Sequence, residues 1–469
     1  MDYSDLPDDP AVWQRLASGD TLAIFQIESP AQVQMTARLQ PQNLTQLAHQ
    51  IALIRPGPIQ SGTVHPYVRR ARGEEAAPAL PESLHTILSP THGTLLFQEQ
   101  ILRLAVHYAG YSWAEADQFR SRLSKTEDAA ELAALKASFV AGAGRAVGAA
   151  PDEAGAVFDT CAAFRGFGFA ESHAWAFAQH AYASAWMRQQ HPAAYLASVL
   201  TEAPGLWPAS TISQEARRWG VSLRGVCLNR SGLSYRAETE RAVRLPLTVV
   251  AGVSQELARS VVQERLTGGK YLGLADLYDR VSLQGDMLEK LIKAGALESL
   301  HSRREAAYAL GVLMNARAAG TRGLLSPQQD SPSFAELTPD ETLRLDLATK
   351  GLSETGRHPL DAHRARLRDL GCVELSALRH GQDAWTAGFI VTRQRPPTAR
   401  GFAFFVLEDR SARVQAIISP DLWEAHRALL HDARALIVQG EASVQGRAVT
   451  LKVRRLSDLP LGTWASAAD

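Results

Sequence analysis

The stretch FQEQILRLAVHYAG, Phe97 to Gly110, places Phe97, Ile101, Leu104, Ala105 and Tyr108 on one helical face and closes on a glycine suited to a helix stop. The same period continues downstream over Ala114–Leu123 and Asp128–Ala141. Ser172 is placed to cap a further helix that carries Trp175, Ala178, Tyr182 and Trp186 along one face, with Pro192 beyond its end. Upstream, residues 30–55 have helical spacing, Leu22–Ser29 reads as a strand or a turn, Arg55-Pro-Gly-Pro58 forces a turn, and Gly73–Pro90 is loop-rich. A large helical domain is therefore expected over about 21–235, behind a polar leader of residues 1–20.

The pattern changes near residue 240. Two helical hairpins are expected, at Ala251-Gly-Val-Ser254 and Lys293-Ala-Gly-Ala296, within a region of 236–310. Residues 311–383 read as linker and connecting helices, with Thr321–Pro339 rich in Ser, Pro, Gln and Asp. Beyond Asp383 the residues alternate: WTAGFIVTRQRP, FAFFVLED, VQAIIS, ALIVQGEASVQ and AVTLKVRRL read as five strands, with a helical insert near Trp423–Leu430. This fits an OB-type barrel over 384–460, followed by a tail of 461–469. The expected fold class is a mainly α multidomain chain followed by a C-terminal all-β OB-type barrel.

The chain has 469 residues, 46% hydrophobic and 21% charged, which excludes wholesale disorder and collagen-like or disulfide-stapled classes. No apolar run reaches the roughly 18 residues of a membrane span, and the acidic start MDYSDLPDDP is unlike a secretory signal. Cys161, Cys227 and Cys372 form no CxxC and read as reduced core thiols in a cytoplasmic protein. The 49 basic and 49 acidic residues cancel, so bulk charge does not hold this chain on nucleic acid, although local basic surfaces can. Only seven of the basic residues are Lys. The Arg excess suits bidentate phosphate contacts, and a GC-rich coding preference explains it equally.

The sequence offers no zinc-ligand spacing, no G-x-S-x-G and no phosphate loop. Two-metal phosphoryl transfer needs paired carboxylates. Asp8-Asp9, Glu408-Asp409, Asp276 and Asp279 are the nearest candidates, and they read as turn or helix residues. No catalytic or metal-ligating residue is assigned. The basic constellations are more informative. Arg55 opens a rigid turn where it meets a phosphate or simply solvent. Arg122 and Lys125 share a helical face while Arg120 points elsewhere, either around an anion or as a solvated surface. His173 lies at a Gly-rich helix start, an anion-attracting place in which a structural His is equally at home. Gly252 and Ser254 lie in a hairpin able to present N–H groups to a DNA phosphate. Arg393, Arg395 and Arg400 precede Phe402, Phe404 and Phe405, a combination that suits single-strand stacking. Phe404 and Phe405 are adjacent, so at least one is core.

Taken in order, FQIES (25–29), ALIRPGPIQSG (52–62), FQEQ (97–100), YSWAEADQFR (111–120), GFGFAESHAWAFAQHAYASAWM (166–187) and HPAAYLASVL (191–200) resemble the C-terminal part of bacterial family C DNA polymerases, the alpha subunit of DNA polymerase III. Glu171, where replicative members carry Lys before Ser-His, LTEAPGLWPASTISQEARRWGV (200–221) and the barrel's VTRQRPPTARGFAFFVLED (391–409) resemble the error-prone branch. The resemblance implies fingers over 21–235, a duplex-binding helix-hairpin-helix region over 236–310, and an OB domain near single-stranded template. It places Arg55, Gln98, Glu99, Gln100, Arg120, Lys125 and His173 at finger motif positions for nucleotide binding, with Arg120 and Lys125 near the triphosphate. Arg122 lies one place from the family's second Arg. In that family the palm, with three Asp that bind two metal ions, precedes the fingers. The resemblance thus implies a chain that binds primer–template DNA and dNTP, without a membrane, and synthesises DNA only with a palm-bearing partner, which would bring Mg²⁺. A non-catalytic DNA-binding accessory and a truncated inactive fragment are the alternatives.

Overall fold

A computed structural model describes residues 6–54, 64–164, 169–318 and 332–461. Backbone proximity divides the chain into two compact units, Met1–Trp186 with Gln445–Ala448, and Met187–Val444 with Val449–Asp469.

The first unit is helical. Pro30–Leu39 and Leu44–Leu53 begin at Ser29 and Asn43, whose side chains accept from the third helical N–H. Gln98–Arg103 runs into a π turn, Leu104–Tyr108, and ends at Gly110, φ +74°. Trp113–Lys125 starts in a Ser112/Glu115 capping box, and Ala129–Val147 and Pro151–Ala163 follow. Their apolar stripes meet in an aromatic core: the Phe139 ring lies 5.5 Å from Phe119, 5.9 Å from Phe158 and 6.1 Å from Tyr108. All five residues of the expected stripe from Phe97 to Tyr108 are buried.

Three expectations need correction, and one open alternative is settled. The polar leader contains a helix, Pro10–Ala17, which buries Val12, Trp13 and Leu16, and Trp13 stacks on Tyr182 at 4.7 Å. Leu22–Ser29 is a turn rather than a strand, with Ala23 and Gln26 left-handed while Ile24 and Ile27 are fully buried. The loop-rich 73–90 encloses the helix Glu82–Leu88, a run short enough to be masked by Pro81 and Pro90. Ser172 does not cap its helix. Glu171–Gln190 starts one residue earlier, and the Glu99 carboxylate accepts the Glu171 N–H at 2.9 Å, a cap supplied from 72 residues away.

In the second unit the helices Pro192–Glu202 and Ala209–Ala216 precede a small sheet that the sequence did not announce. Its strands β1 (Ser222–Arg224), β2 (Arg236–Thr239) and β3 (Ala242–Arg244) lie in the order β1-β3-β2. Strands of three or four residues leave too little alternation to see. Helices Gln255–Gly268, Leu274–Arg280, Gly285–Lys293 and Arg303–Ala318 enclose one core that includes Val250, Val261, Leu277, Leu288, Ile292 and Ala306. Most of Thr321–Pro339 lies outside the described residues, and helix Pro339–Lys350 begins in a Thr338/Glu341 capping box.

The barrel follows the expected segments. Strands β4 (Asp383–Gln394), β5 (Ala403–Glu408), β6 (Arg413–Ile418), β7 (Ala435–Gln445) and β8 (Ala448–Asp458) close in the order β4-β5-β6-β8-β7. Helices Pro420–Ala425 and Arg427–Asp432 fill the β6–β7 connection. Val414, Ala416 and Ile418 point inward in strict alternation. At Gly440 a Cβ would fall 2.2 Å from the Lys452 carbonyl oxygen, so only glycine allows β7 and β8 to approach so closely. The fold class is thus mainly α, with a helix-hairpin-helix region, followed by a closed five-stranded barrel of OB type.

Candidate nucleic-acid interface

In the helix Trp113–Lys125 the three cations stand on the surface. Arg120 donates to Asp117 at 2.8 Å and Arg122 to Glu131 at 2.9 Å, both in exposed pairs of the kind worth about 0–1 kcal/mol. The Thr126 hydroxyl and then Arg122 hold the Glu131 carboxyl below its ordinary range. Lys125, on the last turn, has no ion pair among the described residues. These guanidiniums are held weakly enough for an anionic ligand to displace their partners.

The FQEQ residues are used differently. Gln100 is 2% exposed, and its amide is saturated. Oε1 accepts from the N–H groups of Leu96 and Phe97 at 2.8 and 3.0 Å, while Nε2 donates to the Ile87 carbonyl at 3.0 Å and the Thr91 hydroxyl at 2.8 Å. Its amide is thus fully used in holding the turn in front of the helix. Gln98 is half-buried, and its N–H donates to the Phe169 carbonyl at 3.0 Å. Glu99 caps the helix Glu171–Gln190, as described above. Glu171 itself pairs with Arg103 at 3.1 Å. Arg55 lies outside the described residues.

His173 is exposed and lies edge-on between Phe169, at 5.1 Å, and Phe177, at 3.9 Å. Phe177 stacks on Phe25 at 5.2 Å, and Phe25 also meets His180 at 5.9 Å. Phe25 is 43% exposed. Aromatic rings from two distant motifs thus form one surface strip, which is the shape of a base-stacking platform. Sequence reasoning missed Phe25 and Phe177. The helical spacing of Phe177 from His173 and His180 was visible, but the approach of Phe25 on the 22–29 turn was not.

Around the first hairpin, Gly252 takes φ +87° and the Ser254 hydroxyl accepts the Leu257 N–H at 3.1 Å. The N–H groups of Ala251 and Val253 already donate to the Thr349 and Val250 carbonyls. Those of Gly252 and Ser254 have no partner among the described residues. Lys290 stands over the turn: a Cβ at Gly252 would lie 3.3 Å from its Nζ. No carboxylate among the described residues pairs with Lys290, and nothing in the sequence ties it to a turn 38 residues earlier.

The barrel loop separates residues that the sequence grouped. Arg393 donates through Nε to the Leu430 carbonyl at 3.2 Å and through its terminal nitrogen to the Ala433 carbonyl, and burial pushes its pKa down. It closes the end of the helix Arg427–Asp432. Arg395 lies 4.9 Å over the Trp423 ring and makes a long contact, 3.4 Å, with Glu424. Arg400 is exposed at φ +49° without a carboxylate partner among the described residues. Phe405 is core, and Phe404 faces outward beside Phe402, which is 36% exposed. Glu408 shares the outward face of Phe404 but is buried by Thr211, His358 and Arg413. The outer face of β5 is therefore open only at its Phe404 end.

Known families account for this distribution. The model of the bacterial DNA polymerase III alpha subunit finger domain matches residues 1–146. The chain is similar over these residues to that finger domain. A helix-hairpin-helix model matches residues 220–307, the region of both hairpins. An error-prone DNA polymerase of Mycobacterium tuberculosis (strain ATCC 25618 / H37Rv) is 37% identical over 98% of this chain and 42% of that protein. Those of Nocardia farcinica and Anaeromyxobacter dehalogenans are 35% and 34% identical over 98% and 97% of the chain, in each case 41% of the relative. The chain spans less than half the length of these curated relatives. The exposed cations of Trp113–Lys125 thus lie within the finger match, and Gly252, Ser254 and Lys290 within the helix-hairpin-helix match. No group of three or more His, Cys, Asp or Glu among the described residues could hold a metal ion. No described helix is long and apolar enough to cross a membrane.

Proposed function

We propose that this chain provides the fingers, the duplex-binding hairpins and the single-strand-binding barrel of an error-prone DNA polymerase acting in translesion synthesis in the cytoplasm. The carrying observation is the alignment over nearly the whole chain with error-prone DNA polymerases, the finger match coinciding with the exposed Arg120, Arg122 and Lys125. In this reading Arg120 and Lys125 hold the triphosphate of the incoming dNTP, and Arg122 adds a third cation beside them. The strip of Phe25, His173 and Phe177 stacks on bases. Gly252 and Ser254 give N–H groups to a duplex phosphate, with Lys290 supplying charge, and Phe402 with Phe404 meets the single-stranded template.

The described residues do not form a catalytic metal site. A palm-bearing polypeptide is proposed to contribute the carboxylates and the Mg²⁺ they hold. The test is primer–template binding by the chain with and without the correct dNTP, followed by primer extension with and without a palm-bearing chain. The expected result is at least fivefold tighter DNA binding with the dNTP, lost in Arg120→Ala/Lys125→Ala, and extension only with the palm. DNA binding indifferent to the dNTP would overturn the polymerase reading in favour of a DNA-binding accessory.

A further inference from the structure

At the opposite end of β5 from Phe404, where it turns into β6, a cavity of about 310 Å³ opens beside the barrel. Its floor includes Leu367, Cys372 and Ala387, and its rim carries Arg364, Arg368 and Arg410. That volume is at the lower end of small-ligand sites, roughly 300–1,000 Å³, and an apolar floor with a few polar groups is their usual lining.

The rim carries three guanidiniums and three carboxylates, Asp361, Glu374 and Asp409, and only Arg364 among the guanidiniums is ion-paired among the described residues. Glu374 is taken by Arg364. Asp361 accepts the His358 N–H at 3.0 Å. Asp409 accepts from the N–H groups of Leu375, Ser411 and Ala412 and from the Ser411 hydroxyl, all within 2.8 Å. Arg368 and Arg410 are left without a carboxylate among the described residues. Arg217 adds a third such cation nearby. Its guanidinium donates to the Glu354 carbonyl at 3.0 Å and lies where a Cβ at Gly356 would fall, 0.7 Å away, so the glycine gives it a fixed seat. Burial and then the charge of Arg410 push the Arg217 pKa down, a sign that the two cations repel each other. An anion placed between them would relieve that repulsion.

We propose that this cavity is a nucleotide site. It takes the base and sugar of one unpaired nucleotide against Leu367, Cys372 and Ala387, with its phosphate on Arg368 and Arg410. A base still paired in duplex could not enter without being extruded, so the source is single-stranded DNA or a free nucleotide. The inference rests on the reading of the chain as a DNA-binding polymerase part and adds to it a contact on the far side of the barrel from Phe402 and Phe404.

Cys372 provides the test, because it lines the cavity and is half-buried, whereas Cys161 and Cys227 are buried in cores. Its alkylation by N-ethylmaleimide is followed by peptide mass mapping at pH 8.5, since burial raises its pKa. A saturating ten-residue oligo(dT) is expected to slow the reaction more than tenfold. Protection by dTMP alone would identify the free nucleotide as the ligand. Arg368→Ala/Arg410→Ala should abolish protection, weaken oligo(dT) binding by at least tenfold, and leave the unfolding midpoint unchanged. An unchanged alkylation rate while oligo(dT) binds elsewhere, read by fluorescence anisotropy, would overturn the site and leave the polymerase reading standing. Failure of both oligo(dT) and primer–template to bind the chain would overturn both.

Discussion

The two helical hairpins start from the same local device and end in opposite uses. Gly252 and Gly295 both take a left-handed backbone, φ +87° and +83°, at the turn. Each faces a cation. A Cβ at Gly252 would meet the Lys290 ammonium at 3.3 Å, and one at Gly295 would meet the Arg303 guanidinium at 2.9 Å. Arg303 is buried and reaches Glu298 at 2.6 Å, Asp346 at 2.9 Å and the Lys293 carbonyl at 2.8 Å. Lys350, equally buried, bridges Asp346 and Glu354 and donates to the Ala294 carbonyl. The second hairpin is therefore locked inward by two cations on one carboxylate, Asp346. The first is tied to the same helix by the Ala251 N–H on the Thr349 carbonyl, and its half-buried lysine has no carboxylate partner among the described residues. The difference teaches that the same glycine turn is fixed into the domain interior where its cation meets buried acid, and in the proposed reading serves a phosphate where it does not.

The sharpest way to break this comparison is Asp346→Ala. It removes the carboxylate that two buried cations share and should destabilise the hairpin region by about 3–5 kcal/mol in urea unfolding. The triple change Arg303→Met/Asp346→Leu/Lys350→Met, which removes the three buried charges but leaves Glu354 without its lysine, should recover part of that. Next comes Gly252→Ala, which imposes a left-handed alanine and crowds Met287 and Lys290. It should cost about 1–2 kcal/mol of stability, and DNA affinity should fall with it. Lys290→Ala should leave stability within about 0.5 kcal/mol. It should weaken duplex binding about fivefold and lower the slope of log K against log salt by about 0.9, one phosphate contact. The smallest effect belongs to Lys293→Ala in the second hairpin. That side chain makes only an exposed pair with Glu289, and duplex binding should stay within twofold of the parent. If Lys293→Ala weakened DNA as much as Lys290→Ala, the distinction between the hairpins would fail.

Much of the architecture was legible because its signals are local. The stripe Phe97, Ile101, Leu104, Ala105 and Tyr108 has the helical period, and all five are buried. The five alternating runs after Asp383 became five strands because each buries one face, and that burial enforces a period of two. What could not be seen was whatever a distant residue supplies. Ser172 looked like a cap, yet the cap is Glu99. Gln100 looked available, yet its amide is filled by the backbone of Ile87, Leu96 and Phe97 and by the Thr91 hydroxyl. Arg393 and Arg395 looked like one basic loop, yet one closes a helix end and the other lies over Trp423.

By itself the sequence determined the helical body, the two glycine turns, the barrel and the family motifs, since periodicity, breakers and caps act over a few residues. Only the tertiary structure decided which cations remain free. Arg, Lys and Gln carry long side chains with many donors, and whether those donors meet a carboxylate, a carbonyl or solvent depends on what the fold brings within about 3 Å. Lys290 and Arg303 have the same sign of charge beside the same kind of turn, and Asp346 accounts for their difference.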